Sequence, residues 1–318
     1  MNPFSDCKEL LRNTVIRYVI LVILLLTLVG NTVVLVSRYF ISDKSTAQKY
    51  FIFNLGISDF TMGLYLAIVA AKDQMWRGRY FVHDHAWRAS VACRAAGVLS
   101  MLSSQASLFT LMAITYDRFC MFVNVTKLHR MSKRRVLAIL AAIWLASLAF
   151  SISPAVVGFY FNDQASGTGF YGTNTVCLPL QLPHEKAPGW QYCLALFGVL
   201  NFIMSIYMAV AYAWMFISIR KTGQVARSER MKREKTVAKR MMFLVVTDLV
   251  CWFPVIVVLF LSLADYFDDP NRSVFAWLAV CIIPINSAIN PLLYTISTPM
   301  VLDKLKSLLP ARCKTATQ

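Results

Sequence analysis

Charge is what this 318-residue sequence has least of: 15% of its residues are Asp, Glu, Lys or Arg, while 58% are hydrophobic and the mean hydropathy is +0.56. An ordinary globular domain carries about 25% charged residues, so disorder and most water-soluble folds are excluded. Histidine is scarce as well. His83, His85, His129 and His184 are scattered and form no catalytic or metal constellation, so an enzyme is not expected. His83 and His85, at alternating spacing in a loop, admit a zinc reading beside the simpler one of a solvated loop. There is no internal repeat of roughly 20 to 50 residues and no low-complexity tract. An apolar leader is also missing: Asp6, Lys8, Glu9, Arg12 and Arg17 break up the start. No cleavable signal peptide is therefore expected, and the first apolar run would act as its own insertion signal. The roughly 13 residues before it leave no room for a folded outer domain.

What the sequence does have is long uncharged runs. Residues 18–37, 95–116, 136–162, 187–219 and 273–302 contain no Asp, Glu, Lys or Arg, and 50–71 and 241–264 contain one acid each, Asp59 and Asp248. Each run reaches the roughly 20 residues a helix needs to cross about 30 Å of hydrocarbon. Only a helix satisfies its own backbone there. The expected fold is an all-α membrane protein: a seven-transmembrane-helix bundle over 14–298, after a short extracellular tail at 1–13. Residues 299–318 follow as a short amphipathic helix and cytoplasmic tail. In that helix Leu302, Leu305, Leu308 and Leu309 alternate with Lys304 and Lys306, which suits a membrane interface.

With the first tail outside, 22 of the 32 basic residues fall on the inner side. The positive-inside rule then gives an extracellular N-terminus and a cytoplasmic C-terminus. The net charge of +16 reads as orientation and attraction to anionic membrane lipid, and no nucleic-acid partner is needed.

Cys93, at the start of the third run, and Cys177, in the long second outer loop, both face the oxidising side and could staple that loop over the bundle; the alternative is two free thiols. Cys7 is the odd outer cysteine. Cys313 is a candidate for palmitoylation or a free cytosolic thiol. Asn271-Arg272-Ser273 is a candidate glycosylation sequon close to the membrane.

Acids at membrane depth are expensive, so Asp59 and Asp248 need a partner or a task. Asn31, Ser107, Asn286, Ser287 and Asn290 lie at similar depth on other helices. Asp59, Ser107, Asn286 and Asn290 could hold a hydrated sodium ion through hard oxygen ligands, or the cluster could be a satisfied packing network. No other cofactor is expected. At the inner end of the third run, Asp117 can hold Arg118 locally while an acid from another helix competes for it. Glu234 stands 18 residues before Trp252, hence about 27 Å below it, and could clamp Arg118; an ordinary surface ion pair is the plainer alternative. Pro254 and Pro291 kink their helices beside this polar core.

These motifs resemble the rhodopsin-like class of G protein-coupled receptors over essentially the whole chain. In order they are Gly30-Asn31, Asn54-Leu55-Gly56-Ile57-Ser58-Asp59, Cys93 with Asp117-Arg118 at a 25-residue interval, Trp144, Cys177, Tyr212, Trp252-Phe253-Pro254 and Asn290-Pro291-x-x-Tyr294. Within that class the chain is similar to the leucine-rich-repeat hormone receptors, nearest the relaxin-receptor type. That likeness rests on Trp76-Arg77-Gly78-Arg79-Tyr80, on Phe170 to Leu180 and on Thr247-Asp248-Leu249-Val250-Cys251-Trp252. The resemblance implies a plasma-membrane receptor for a peptide or protein hormone, signalling to a heterotrimeric G protein, with cAMP as a candidate output and arrestin as a second inner partner. It implies that Arg118, Tyr212 and Tyr294 form the inner site, that Glu234 locks it at rest, and that Asp248, where most of the class has Phe, engages Asn286 and Asn290. Two features depart from the pattern. The hormone-capturing repeat domain is not within these 318 residues, which leaves a constitutive or modulatory receptor partner as an alternative. Met204 stands where the fifth helix usually has proline, so its bulge is expected to differ. A seven-helix transporter is the rival from another class, but it would be expected to show inverted repeats or broken helix pairs. A retinal protein needs a lysine in 273–302, which has none.

Overall fold

The computed structural model describes residues 8–11, 13–40, 46–123, 131–162, 167–181, 187–221, 229–266 and 277–293. Its helices are α1 (Thr14–Phe40), α2 (Thr46–Met75), α3 (Tyr80–Arg88), α4 (Val91–Val123), α5 (Lys133–Val156), α6 (Gly158–Phe161), α7 (Trp190–Cys193), α8 (Asn201–Lys221), α9 (Glu229–Leu263) and α10 (Ile283–Pro291). A π-helical turn, Leu194–Leu200, fuses α7 to α8, and another, Leu278–Ile282, leads into α10. Spans one to four are α1, α2, α4 and α5; spans five to seven are α7–α8, α9 and α10 with its preceding turn. Six of these are long and apolar enough to cross a membrane, and Val280–Pro291 is a shorter apolar piece of the seventh.

The helices outrun the uncharged runs that announced them. Lys72 and Asp73 lie inside α2, and α9 starts at Glu229, twelve residues before its run. Charges at a helix end can reach the interface, so lipid limits the apolar stretch and not the helix. Starts are fixed by capping. The Asn13 side chain accepts from the N–H groups of Val15 (2.8 Å) and Ile16 (3.4 Å), Ser90 Oγ from Cys93 (3.1 Å) and Ser132 Oγ from Arg135 (3.4 Å).

α4 is the axis of the bundle, packing on α2, α5, α8 and α9. In its apolar window 78% of residues are buried, against 28% in α1 and α5. Shielded from lipid, it can carry Ser103, Ser104, Gln105 and Ser107, whereas α1 turns Leu21, Leu25 and Val29 outward. Gly30 lets α1 close on α10, since a Cβ there would lie 2.9 Å from the Pro291 side chain; small residues set such close approaches in membrane bundles. Proline-free span five nevertheless carries a widened turn, at Leu194–Leu200, so a bulge is made without proline.

At the disulfide end, residues 8–11 do not trail away. Leu10 and Leu11 are buried. The Arg17 guanidinium, in α1, ion-pairs with Asp73 at the end of α2, bonds Glu9 (2.7 Å) and donates to the Leu11 carbonyl (3.0 Å). The Leu11 N–H donates to Asp73 (3.0 Å), and the Tyr80 N–H to the Lys8 carbonyl (3.2 Å). Breaking one partner of a buried ion pair costs about 3 to 5 kcal/mol, whereas removing both is far milder. We therefore expect Arg17→Met to lower the melting temperature of the purified protein markedly and Arg17→Met/Asp73→Leu to recover most of that loss; equal losses in single and double variants would show that the pair does not hold this end.

Candidate functional site

The two membrane-depth acids sit at the junction of spans two, three, six and seven. Asp59 accepts through Oδ1 from Ser107 Oγ (3.3 Å) and through Oδ2 from Asn290 Nδ2 (2.8 Å). Asp248 accepts through Oδ1 from Asn286 Nδ2 (2.7 Å). α10 thus gives one asparagine to each acid. The expectation that Asp248 would engage both is met for Asn286 and corrected for Asn290, which serves Asp59. The reason is geometric: Asn286 and Asn290 are one turn apart on one face, and α10 packs on both α2 and α9, so each amide takes the nearer carboxylate.

Donors run out before acceptors do. Asp248 Oδ2, Asn286 Oδ1 and Asn290 Oδ1 are buried without a hydrogen-bond partner among the described residues. Of the four residues expected around sodium, Ser107 and Asn290 bond Asp59, and Asn286 bonds Asp248. Open oxygens of this hard kind suit an alkali cation. The Trp252 indole faces the Asp248 carboxylate without closing a hydrogen bond to it. Its ring stacks on Phe197, 5.6 Å between centroids and 15° between planes. Pro254, two residues on, lies inside α9. Around this core, Asn31 Nδ2 donates to the Thr27 (2.8 Å) and Ser287 (3.1 Å) carbonyls, tying α1 to α10. Trp144 Nε1 donates to Asn54 Oδ1 (2.9 Å), tying α5 to α2.

At the opposite end from the disulfide, Arg118 and Asp117 form a 2.8 Å ion pair with both side chains nearly sealed from solvent. Tyr212 is buried near Thr115 and Arg118, and its hydroxyl has no hydrogen-bond partner among the described residues. Glu234 lies on α9, but its side chain falls outside the described residues, as do Tyr294, Asn271, Cys313 and the expected amphipathic helix.

Cys93 and Cys177 are bonded, and the loop they anchor fills the mouth of the bundle. Phe170, Tyr171, Val176, Leu178 and Leu180 are buried in the core. Tyr171 reaches between spans three and four and donates to the Ser151 carbonyl (2.6 Å). Trp87 Nε1 donates to the Thr175 carbonyl (2.7 Å) and Tyr65 to that of Val176 (2.9 Å). Gly97 makes the insertion possible, because a Cβ there would lie 2.1 Å from the Tyr171 ring and 2.6 Å from the Cys177 carbonyl.

The segment read as a plain loop after span two is helix α3. Tyr80 donates to Asp84 (2.6 Å), and burial beside that carboxylate raises its pKa. The His83 ring stacks on Trp76 (5.2 Å), and Lys72 sits 4.6 Å over the same indole. On a helix, residues two apart diverge, so His83 and His85 cannot share a zinc ion, and the described residues hold no metal-ligating group of three. The sequence reading missed α3, the Arg17 cluster and the Tyr171 plug. Asp73 and Gly97 were their only signals: an acid at a span edge and a bare glycine in a central helix.

A helical bundle with two buried carboxylates, a sealed arginine at one end and a disulfide-stapled plug at the other defines a seven-span membrane receptor. The family model for the 7 transmembrane receptor (rhodopsin family) matches residues 30–294, and the chain belongs to that family, whose members are receptors and not enzymes. It is 37% identical to G-protein coupled receptor GRL101 of Lymnaea stagnalis over 96% of this chain and 27% of that protein. It is 35% identical to human relaxin receptor 2 (96% of this chain, 40% of the relative) and 32% to human relaxin receptor 1 (92% and 38%). The chain thus spans about a quarter to two-fifths of the length of these relatives.

Gly97→Ala should displace Tyr171, and we expect surface delivery to fall several-fold with Tyr171→Ala partly restoring it in the double variant. Wild-type surface levels for Gly97→Ala, read by antibody labelling of intact cells, would refute the plug.

Proposed function

We propose that the chain is the membrane-spanning signalling unit of a plasma-membrane hormone receptor, with the disulfide end outside and the Arg118 end in the cytoplasm, coupling to a heterotrimeric G protein. The observation that carries this is the filled mouth. Tyr171, Val176, Leu178 and Leu180 are packed into the same buried cluster as Trp252, so among the described residues the loop occupies the space where a small ligand would approach from the disulfide end. A peptide or protein hormone, or a folded outer domain bearing one, can act on the loop and on residues 8–11 from outside. The relatives named as relaxin receptors support such a ligand. An agonist shifts the receptor only by its differential affinity for two states; here it would bias the plug, and through the Phe197–Trp252 stack the position of span six.

At the cytoplasmic end, the Asp117–Arg118 pair keeps the guanidinium sealed in this state. Outward movement of span six would expose Arg118, Tyr212 and Tyr294 to a G protein, and afterwards to arrestin, with Glu234 as a second acid holding Arg118 at rest. In the core, a sodium ion on the oxygens around Asp59, Ser107, Asn286 and Asn290 would favour the resting arrangement. Anionic lipid would contact the basic cytoplasmic face.

Expressed with matched surface levels, Glu234→Ala should raise basal cAMP by about threefold or more, the change expected if roughly 0.7 kcal/mol of bias toward rest is lost. Arg118→Ala should abolish the signal. Unchanged basal cAMP and inositol phosphate in Glu234→Ala would remove the lock; a signal surviving Arg118→Ala would remove the coupling site. Cys177→Ser should cost surface delivery or ligand response, and normal values for both would leave the disulfide without a role in signalling.

A further inference from the structure

We infer that the cleft between spans four and five is a binding site for one anionic phospholipid, with its phosphate at Arg135 and an acyl chain laid over Met112 and Tyr116 of span three. This gives a definite place to the anionic-lipid contact proposed above and rests on that reading.

The packing leaves room for it. Among the described residues, spans four and five both pack on span three but hardly on each other. They meet at the disulfide end, where the Tyr192 hydroxyl of span five donates to the Phe150 carbonyl (2.8 Å) and lies 3.0 Å from Ser153 Oγ. Toward the other end, span three comes to the surface between them. From Ala96 to Phe122 its single exposed residue is Tyr116, at 52%, with Met112 and Cys120 half-buried one turn to either side. Residues four apart share a face, so these three form the floor. Tyr207, exposed on span five, lies beside Tyr116 and Cys120 and forms one wall. Along span four, Phe150 to Arg135 is 15 residues, about 22 Å. That exceeds the half-thickness of the hydrocarbon, about 15 Å, so an acyl chain of one leaflet fits.

Charge selects the occupant. Arg135 stands 18 residues before Ser153, five full helical turns, and so lies on the face of span four that meets span five. It is exposed, within electrostatic range of Tyr116 and flanked by the exposed Lys133 and Arg134. Spans four and five contain no Asp or Glu, and the one acid of span three, Asp117, is ion-paired with the buried Arg118. The rim of the cleft is therefore positive where the headgroups of the anionic leaflet lie. A guanidinium takes a phosphate through two parallel hydrogen bonds, and tyrosine suits the level just beneath the headgroups. A sterol brings one hydroxyl and no charge, and makes no use of the guanidinium.

The test uses the full chain in phosphatidylcholine nanodiscs containing phosphatidylserine with a diazirine on one acyl chain; after illumination, crosslinks are mapped by mass spectrometry. Labelling is expected to concentrate on Met112, Tyr116 and Cys120, and Arg135→Gln to lower it by about fivefold or more. Lys133→Gln, the same loss of charge two residues away, should leave it within about twofold of wild type. Ala142→Trp, which keeps every charge but fills the cleft seven residues beyond Arg135 on the same face, should lower it as Arg135→Gln does. If Lys133→Gln and Arg135→Gln act alike, or labelling spreads over the basic face, anionic lipid is held by general attraction; that broader reading then stands and this inference falls. A phosphatidylcholine probe that labels the three residues as strongly, or unlabelled cholesterol that displaces the anionic probe, overturns the choice of occupant. No preference for the anionic probe anywhere on the protein overturns both readings.

Discussion

The cost of holding ionisable groups away from water organises this bundle. Asp59 and Asp248 are each buried, and α10 lies between them and supplies one asparagine to each. A span-six displacement relative to span two cannot leave that arrangement intact: either Asn286 follows Asp248, dragging Asn290 away from Asp59, or it lets go. A hydrogen bond to a charged group contributes about 1.5 to 3 kcal/mol, the same size as a typical coupling free energy between distant sites. On the proposed function, such a core would be strong enough to favour one resting state and weak enough for an external event to exchange its partners.

The seven spans were legible because lipid enforces them. A segment facing hydrocarbon must be apolar over its full crossing, and a run of twenty uncharged residues is hard to mistake. The disulfide, the acids and their neighbours were legible for a related reason, as each breaks the apolar rule at a place where breaking it is costly. The partition of the asparagines was not. Whether Asn290 meets Asp59 or Asp248 depends on how α10 is rotated, a few tens of degrees that no spacing encodes. The Arg17–Asp73 pair joins residues 56 apart in sequence, each of which reads as an ordinary charge near an interface. The bulge in span five was hidden for the opposite reason. Its usual marker, proline, is missing, yet Gly198 sits within the π-helical turn. The turn needs local freedom more than it needs any one residue.

The weak points of spans five to seven cluster near one level, apart from Pro291 beside Asn290, while span four has Pro154 near its disulfide end. α1, α2 and α4 contain no proline and run as unbroken α-helices. They are tied together by the Arg17–Asp73 pair and, through Cys93, to the plug. Span five carries its π-helical turn at Leu194–Leu200, span six has Pro254, and span seven has a π-helical turn at Leu278–Ile282 with Pro284 just after it. Phe197, in the first of these turns, stacks on Trp252, which is two residues from Pro254 and one helical turn from Asp248; the third turn ends four residues before Asn286. Each of these three breaks has already given up regular backbone hydrogen bonding, so spans five to seven bend readily on the disulfide side of the carboxylate layer, as span seven also can at Pro291. A push on the plug therefore meets a stiff half, spans one to three, and a compliant half, spans five to seven. The compliant half yields at the level where Asp248 and Asn286 hold span six to span seven.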